Sequence, residues 1–252
     1  MLLFLGPPAL LHYSFDTATV SGSTLLNLGS GGAAYNAQLI NSPAISTSDK
    51  MVGTGAIQLT SSLAQYVQIP SFTTGKSGLS IAFWFKITST ETYTCVFDFG
   101  NGLYDSIFFG QLNGYGDIYC RNESIISERL IFFRGSVNDN TWRHVVWTIE
   151  PSGVWVIYLN GNILQSYAKI FYPNAVTRTE NYIGRSNFEW YPYLNGSIDE
   201  FYMFESVLSA DQVMQLYSQG ENTVGKDFIC YAGLLQEIIP LDGRIYGFCL
   251  II

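Results

Sequence analysis

The chain has 252 residues, of which 48% are hydrophobic, 15% aromatic and only 13% charged, and 20 acids against 12 bases give a formal charge of −8. A chain of this kind buries a sizeable core and is not disordered, and 12 scattered cations cannot neutralise a nucleic-acid backbone, so no nucleic-acid partner is expected. The 24 glycines, 17 tyrosines and 17 phenylalanines suit many short strands joined by tight turns.

The first residues, Met1 to Leu11, are apolar, but no basic segment leads them and Pro7-Pro8 interrupt them. They are not expected to act as a removed signal, and the chain reads as a fragment of a longer protein or as one needing no signal. From Ser80 to Ile87 the odd positions are large and apolar, which predicts a half-buried strand with Ile81, Phe83, Phe85 and Ile87 facing the core and Trp84 facing away. Asn101-Gly102 and Asn113-Gly114-Tyr115-Gly116 read as turns. Strands are expected over Thr141 to Ile149 and Gly153 to Leu159. Asn160-Gly161 is a tight hairpin signal, so Asn162 to Tyr167 should pair back on the preceding strand. Near the end, Ser209 and Gln212 form a capping box for a short helix with a Val213, Leu216, Tyr217 stripe, and Gly220 reads as its stop.

The expected fold is all-β: an antiparallel two-sheet sandwich, or jelly roll, with one short helix near the C-terminal end. No internal repeat divides the chain. The organisation is one domain over residues 1–220 followed by an apolar extension, 221–252, that packs on the domain or on a partner. That extension carries Glu237, Asp242 and Arg244, so no membrane-spanning segment is expected. Neither histidine, His12 or His144, lies at ligand spacing from Cys95, Cys120, Cys230 or Cys249, which argues against zinc and leaves three disulfide pairings open. Two sequons occur, at Asn122 and Asn195.

Four stretches resemble one family. They are Gly55-Ala56-Ile57-Gln58-Leu59 with Tyr66-Val67-Gln68-Ile69-Pro70; Ser80 to Lys86; Thr141 to Thr148 with Tyr158-Leu159-Asn160-Gly161; and Ile183-Gly184-Arg185-Ser186 with Asn195 to Tyr202 and Leu208 to Tyr217. In this order they are similar to the laminin-G-like branch of the concanavalin A-like lectin and glucanase superfamily, a pentraxin-like jelly roll, over roughly residues 12–220. The resemblance implies two curved antiparallel sheets, often a bound calcium ion, and binding of glycans or proteins, with only some branches enzymatic.

Glucanases of that superfamily hold two carboxylates on one strand face. Asp199 and Glu200 are adjacent, so they point to opposite faces of a strand and cannot share a sugar. No G-x-S-x-G occurs, and His144 reads as a packed strand residue, so no enzyme is expected. Calcium takes oxygen ligands from carboxylates and carbonyls. By resemblance one site would use Asp105, before an alternating apolar strand, and a second would pair Asp16 with Asp199, although Asn27 to Ser30, where relatives often place acidic or amide residues, have no carboxylate. For a ligand, Trp190, Tyr191 and Tyr193 with Asn187 and Glu189 form an aromatic loop suited to a glycan or protein, and Trp84 is a further candidate unless something covers its face. The expected function is a non-catalytic recognition module for glycans or surface proteins, calcium-assisted, acting outside the cell, at its surface or on a virion. A structural component of a larger assembly such as a capsid or fibre, joined to copies or partners through the C-terminal tail, is the alternative. A glycan-degrading hydrolase is a second alternative, and its carboxylate pattern is missing.

Overall fold

The structure, a computed structural model, describes residues 4–74, 77–89, 91–121, 127–133, 136–168 and 170–221. Alternation along each strand decides which side chains turn inward. Leu79, Ile81, Phe83, Phe85 and Ile87 of the strand Leu79–Ile87 all enter the central core, while Trp84 points away from it. Leu79–Ile87 lies mid-sheet, between Arg143–Ile149 and Gly196–Phe204.

The first sheet runs Asn162–Tyr167, Trp155–Leu159, Arg143–Ile149, Leu79–Ile87, Gly196–Phe204, Ala56–Leu59, Ala44–Ser46, and Leu11–Tyr13 also pairs with Gly196–Phe204. The second runs Ser127–Phe133, Tyr115–Arg121, Tyr104–Leu112, Tyr93–Asn101, Glu180–Ile183, Tyr66–Ile69, Ala37–Ile40, Thr24–Leu25, Val20–Ser21. Every one of these pairings is antiparallel, and the two sheets close on one aromatic core. Phe83 is its hub, with ring centroids 4.8 Å from Phe109 and 5.6 Å from both Phe97 and Phe201. The predicted hairpin is present: Asn160 and Gly161 take φ of 48° and 78°, the paired positive values a tight turn needs, and Asn162–Tyr167 returns along Trp155–Leu159.

The one α-helix among the described residues is Ala210–Glu221. Its capping box forms as predicted: Ser209 Oγ accepts from Gln212 N–H at 3.3 Å, and Ser209 N–H donates to Gln212 Oε1 at 2.9 Å. Val213 and Leu216 bury against Ala82, Val146 and Phe204 on the outer face of the first sheet. Gly220 is inside the helix rather than its stop, and the Trp84 indole occupies the space a Cβ there would take. Cys95 and Cys120 are free thiols on opposite faces of the second sheet. Cys230, Cys249, the Asn122 sequon and the extension from 222 onward lie outside the described residues.

Candidate functional site

The outer face of the second sheet carries Cys95, Phe108 and Tyr119, and the segment after Glu180–Ile183 folds across them. Two anchors hold that segment. Gly184 N–H donates to Val96 O at 2.7 Å and Leu194 N–H to Gly184 O at 2.8 Å, closing its ends. Between them the fully buried Asp98 accepts from Ser186 Oγ–H and Asn187 N–H, each at 2.9 Å. Burial pushes the Asp98 carboxyl up to about 6, and the bonds from Asn187 and Ser186 offset part of that rise.

On these anchors the rings pile up. Phe188 and Tyr191 stack at 5.4 Å, Tyr191 stacks on Tyr93 at 4.9 Å, and Phe108 stacks on Tyr119 at 4.5 Å beneath them. Trp190 tops the pile, 5.0 Å from Phe188 and 65% exposed. Tyr193 leans on Tyr66 at 5.9 Å, and Arg185 lies over the Tyr66 and Tyr182 rings at 5.1 and 4.5 Å. Arg185, Phe188, Glu189, Tyr191 and Tyr193 line a shallow cleft of about 250 Å³. Asn187 is mostly structural, since its side-chain amide donates to Glu180 O at 3.1 Å, whereas Glu189 is exposed. The loop thus brings Glu189, Trp190, Tyr191 and Tyr193 to one surface, while the Asn187 side chain turns to the sheet. Sequence reasoning missed Asp98, which anchors that surface from the neighbouring strand Tyr93–Asn101, and Arg185, which lies at the start of the segment itself.

Trp84 is placed elsewhere. It is 2% exposed on the outer face of the first sheet, stacked on Tyr217 of the helix at 5.5 Å and 5.1 Å from His144. The helix covers it, so this ring is no ligand platform. His144 is likewise packed, and burial lowers its pKa to about 3.

Asp199 and Glu200 do not follow strand alternation. Ile198 and Phe201 both enter the core, because the pairing with Leu79–Ile87 gains an extra residue between Asp199 and Tyr202, and Glu200 sits at that bulge with φ 52°. Alternation therefore breaks, and Asp199 and Glu200 both lie off the core side. Neither is open to a substrate. Glu200, 7% exposed, is bonded by His12 Nε2 at 2.7 Å and by the Tyr202 hydroxyl. Asp199, fully buried, accepts from Met51 and Val52 N–H at 2.8 and 2.9 Å through Oδ2.

Leu11–Tyr13 pairs with Gly196–Phe204, which brings Asp16 within electrostatic reach of Asp199. Asp16 Oδ1 accepts from both Thr54 N–H and Thr54 Oγ–H. Burial, then the charges of Glu200 and Asp16, raise the Asp199 carboxyl to about 8 despite the two backbone donors. Its Oδ1 is buried and accepts no hydrogen bond among the described residues. An orphaned carboxylate oxygen on a group repelled by two other acids fits a hard cation, which would satisfy it and reverse the charge penalty. Phe15, a bulky residue at φ 56°, sits beside Asp16 and adds local backbone strain. Asn27 is structural, its Oδ1 accepting from His12 N–H at 2.8 Å. Among the described residues no group of three or more His, Cys, Asp and Glu side chains forms a metal cluster.

Asp105 does not fit a cation. It is buried, Asn174 Nδ2 donates to its Oδ1 at 3.3 Å, and the fully buried Arg178 faces it while donating through Nε to its backbone oxygen at 2.7 Å. A positive charge already occupies that neighbourhood, so Asp105 pins a strand start instead of holding calcium.

Residues 60–214, more than half of the chain, match the laminin-G-type family described as the concanavalin A-like lectin/glucanases superfamily. No curated protein sequence matches the chain. Similar solved structures include domain 4 of AbnA, a GH43 extracellular arabinanase from Geobacillus stearothermophilus, in complex with arabinotriose (18% identity over 83% of this chain and 98% of that one, TM-score 0.65). The binding domain of Paraclostridial Mosquitocidal Protein 1 shares 14% identity over 83% of this chain and 52% of its own, with TM-score 0.60. The botulinum neurotoxin serotype D ligand binding domain in complex with N-acetylneuraminic acid shares 16% identity over 83% and 50%, also with TM-score 0.60. The chain spans about half the length of these two toxin structures. At such identities the likeness is one of fold alone. Among the described residues no helix is long and apolar enough to cross a membrane.

Proposed function

The chain belongs to the concanavalin A-like lectin/glucanases superfamily, and from that membership we propose that it is a non-catalytic module that binds glycans through the 186–193 loop. The observation that carries this reading is Trp190, 65% exposed on a ring pile that is itself anchored to the sheet. A large apolar ring held at the surface, with no core to fill, serves contact. Sugars present apolar faces to such rings and hydroxyls to the Glu189 and Arg185 groups beside them. Two of the similar structures are complexes with saccharides, arabinotriose and N-acetylneuraminic acid, which supports a glycan as the ligand class. One of these structures is a domain of an extracellular enzyme, which supports action outside the cell or at a surface.

Asp16 and Asp199 would hold calcium in this reading. The ion would neutralise two facing acids and fix the segment whose Met51 and Val52 amides bond Asp199. The assembly alternative turns on residues 225–252, which lie outside the described residues.

A glycan array probed with the wild-type chain and with Trp190→Ala tests the proposal. The wild type is expected to light a defined set of glycans and the variant to lose them, a drop in affinity of at least about tenfold, or about 1.4 kcal/mol. Folding should not change, because an exposed substitution of this kind shifts stability by only about 0.5 kcal/mol. Equal signals from the two proteins, or a blank array for the wild type, would remove the loop from the account.

A further inference from the structure

The first sheet has its own polar cleft, on the face opposite the aromatic loop. Alternation turns Gln58, Lys86 and Ser197 outward where Ala56–Leu59, Leu79–Ile87 and Gly196–Phe204 run side by side, since Ile57, Phe85 and Ile198 fill the core between them. Asp49, Gln58, Thr60, Lys86, Asn140 and Asn195 line a cavity of about 270 Å³, near the lower edge of small-molecule sites at about 300–1,000 Å³. One wall is built rigidly. Asp49 ion-pairs with Lys86 and accepts from Trp142 Nε1–H at 2.9 Å, while the Lys86 ammonium lies 5.3 Å from the centre of the Trp142 ring. The far end is closed by Thr88, whose N–H and Oγ–H both donate to Asn195 O at 2.9 Å.

From this geometry we infer that the cleft is a second saccharide site, selective for neutral sugars. Its one cation is matched by its one carboxylate, so it offers no net charge to a phosphate or an acidic peptide. It offers no apolar floor to a peptide side chain either. What remains are amides and hydroxyls, donors and acceptors together, which is the complement a polyhydroxyl ring requires. Gln58 is exposed, and neither its side chain nor that of Thr60 hydrogen-bonds a described residue, so both are available without breaking the fold. The helix covers only the other part of this face, above Ala82 and Trp84. A module with one contact surface on each sheet can tether two glycan chains, and paired weak contacts gain strength through effective concentration.

The site does not depend on the aromatic loop, and the experiment separates the two. Amide spectra of the isotope-labelled full chain are recorded with millimolar cellotriose, xylotriose, arabinotriose and lactose in turn. At least one neutral trisaccharide or disaccharide is expected to shift the Thr88, Gly196 and Ser197 amides. Those shifts should persist in Trp190→Ala and disappear in the Gln58→Ala/Thr60→Ala double variant, whose spectrum otherwise stays folded. If the cleft amides stay silent with all four sugars, or if their shifts vanish in Trp190→Ala, the inference is wrong. Cleft shifts alongside a Trp190→Ala variant that loses nothing on a glycan array would refute the loop reading and leave the cleft standing.

Discussion

Asp98 shows what a single buried residue does here. Its folded-state pKa, raised from 3.8 to about 6 by burial, means the folded protein prefers the neutral acid, so the stability this group contributes is full below about pH 4 and is lost as pH rises through about 6. At neutral pH its charge is a burden of up to about 3 kcal/mol, at 1.36 kcal/mol per unit. Asp98→Asn keeps an acceptor for Ser186 and Asn187 and removes that charge. Thermal unfolding across pH 4–8 should show the variant more stable than wild type at pH 7–8, with the gap closing toward pH 4, and a constant gap would contradict the assignment. Nothing in the sequence marked this residue, since its partners lie 88 and 89 positions away. Trp190 was legible because four aromatics in one loop are conspicuous in a linear reading. Asp105 was misread for the opposite reason: its local context resembles a ligand position, and only the fold brings Arg178, 73 residues on, against it.

At the scale of elements, local rules read well and register irregularities did not. Period-two alternation placed the core side of Leu79–Ile87, the Asn160-Gly161 turn placed its hairpin, and Ser209 with Gln212 marked the helix start. The bulge at Glu200 left no trace, because it inserts an ordinary residue and not a glycine, and so the facing argument for Asp199 and Glu200 failed. The helix makes its own test. Ser209→Ala removes one cap acceptor and should cost about 1 kcal/mol, lowering the melting temperature by about 2–4 °C in a chain of this size. Gly220→Leu should cost more, since its side chain meets the Trp84 indole, and acrylamide quenching should then reach a tryptophan that the wild type shields. Unchanged quenching in Gly220→Leu would mean the helix does not rest on Trp84.

For the whole molecule, the sandwich class followed from composition and turn spacing, whereas strand order did not, since Leu11–Tyr13 and Gly196–Phe204 meet only through tertiary packing. That long-range pairing is what sets Asp16 near Asp199, and a cation there would tie the two ends of the domain together. Calcium at about 100 times its dissociation constant adds about 2.7 kcal/mol, which raises the melting temperature by about 5–10 °C. The rise is expected in wild type, reversed by chelator, and absent in Asp199→Asn. A wild-type chain indifferent to calcium would leave buried Asp199 beside Asp16 as an acid pair without an ion. Tryptophan emission reports on Trp190, because of the protein's five tryptophans Trp84, Trp147 and Trp155 are at most 2% exposed and Trp142 is partly buried against Asp49 and Lys86, while Trp190 is 65% exposed. Titrating the best array glycan while following tryptophan emission should give a saturable blue shift in wild type and none in Trp190→Phe; the same shift in both proteins would place the ligand elsewhere.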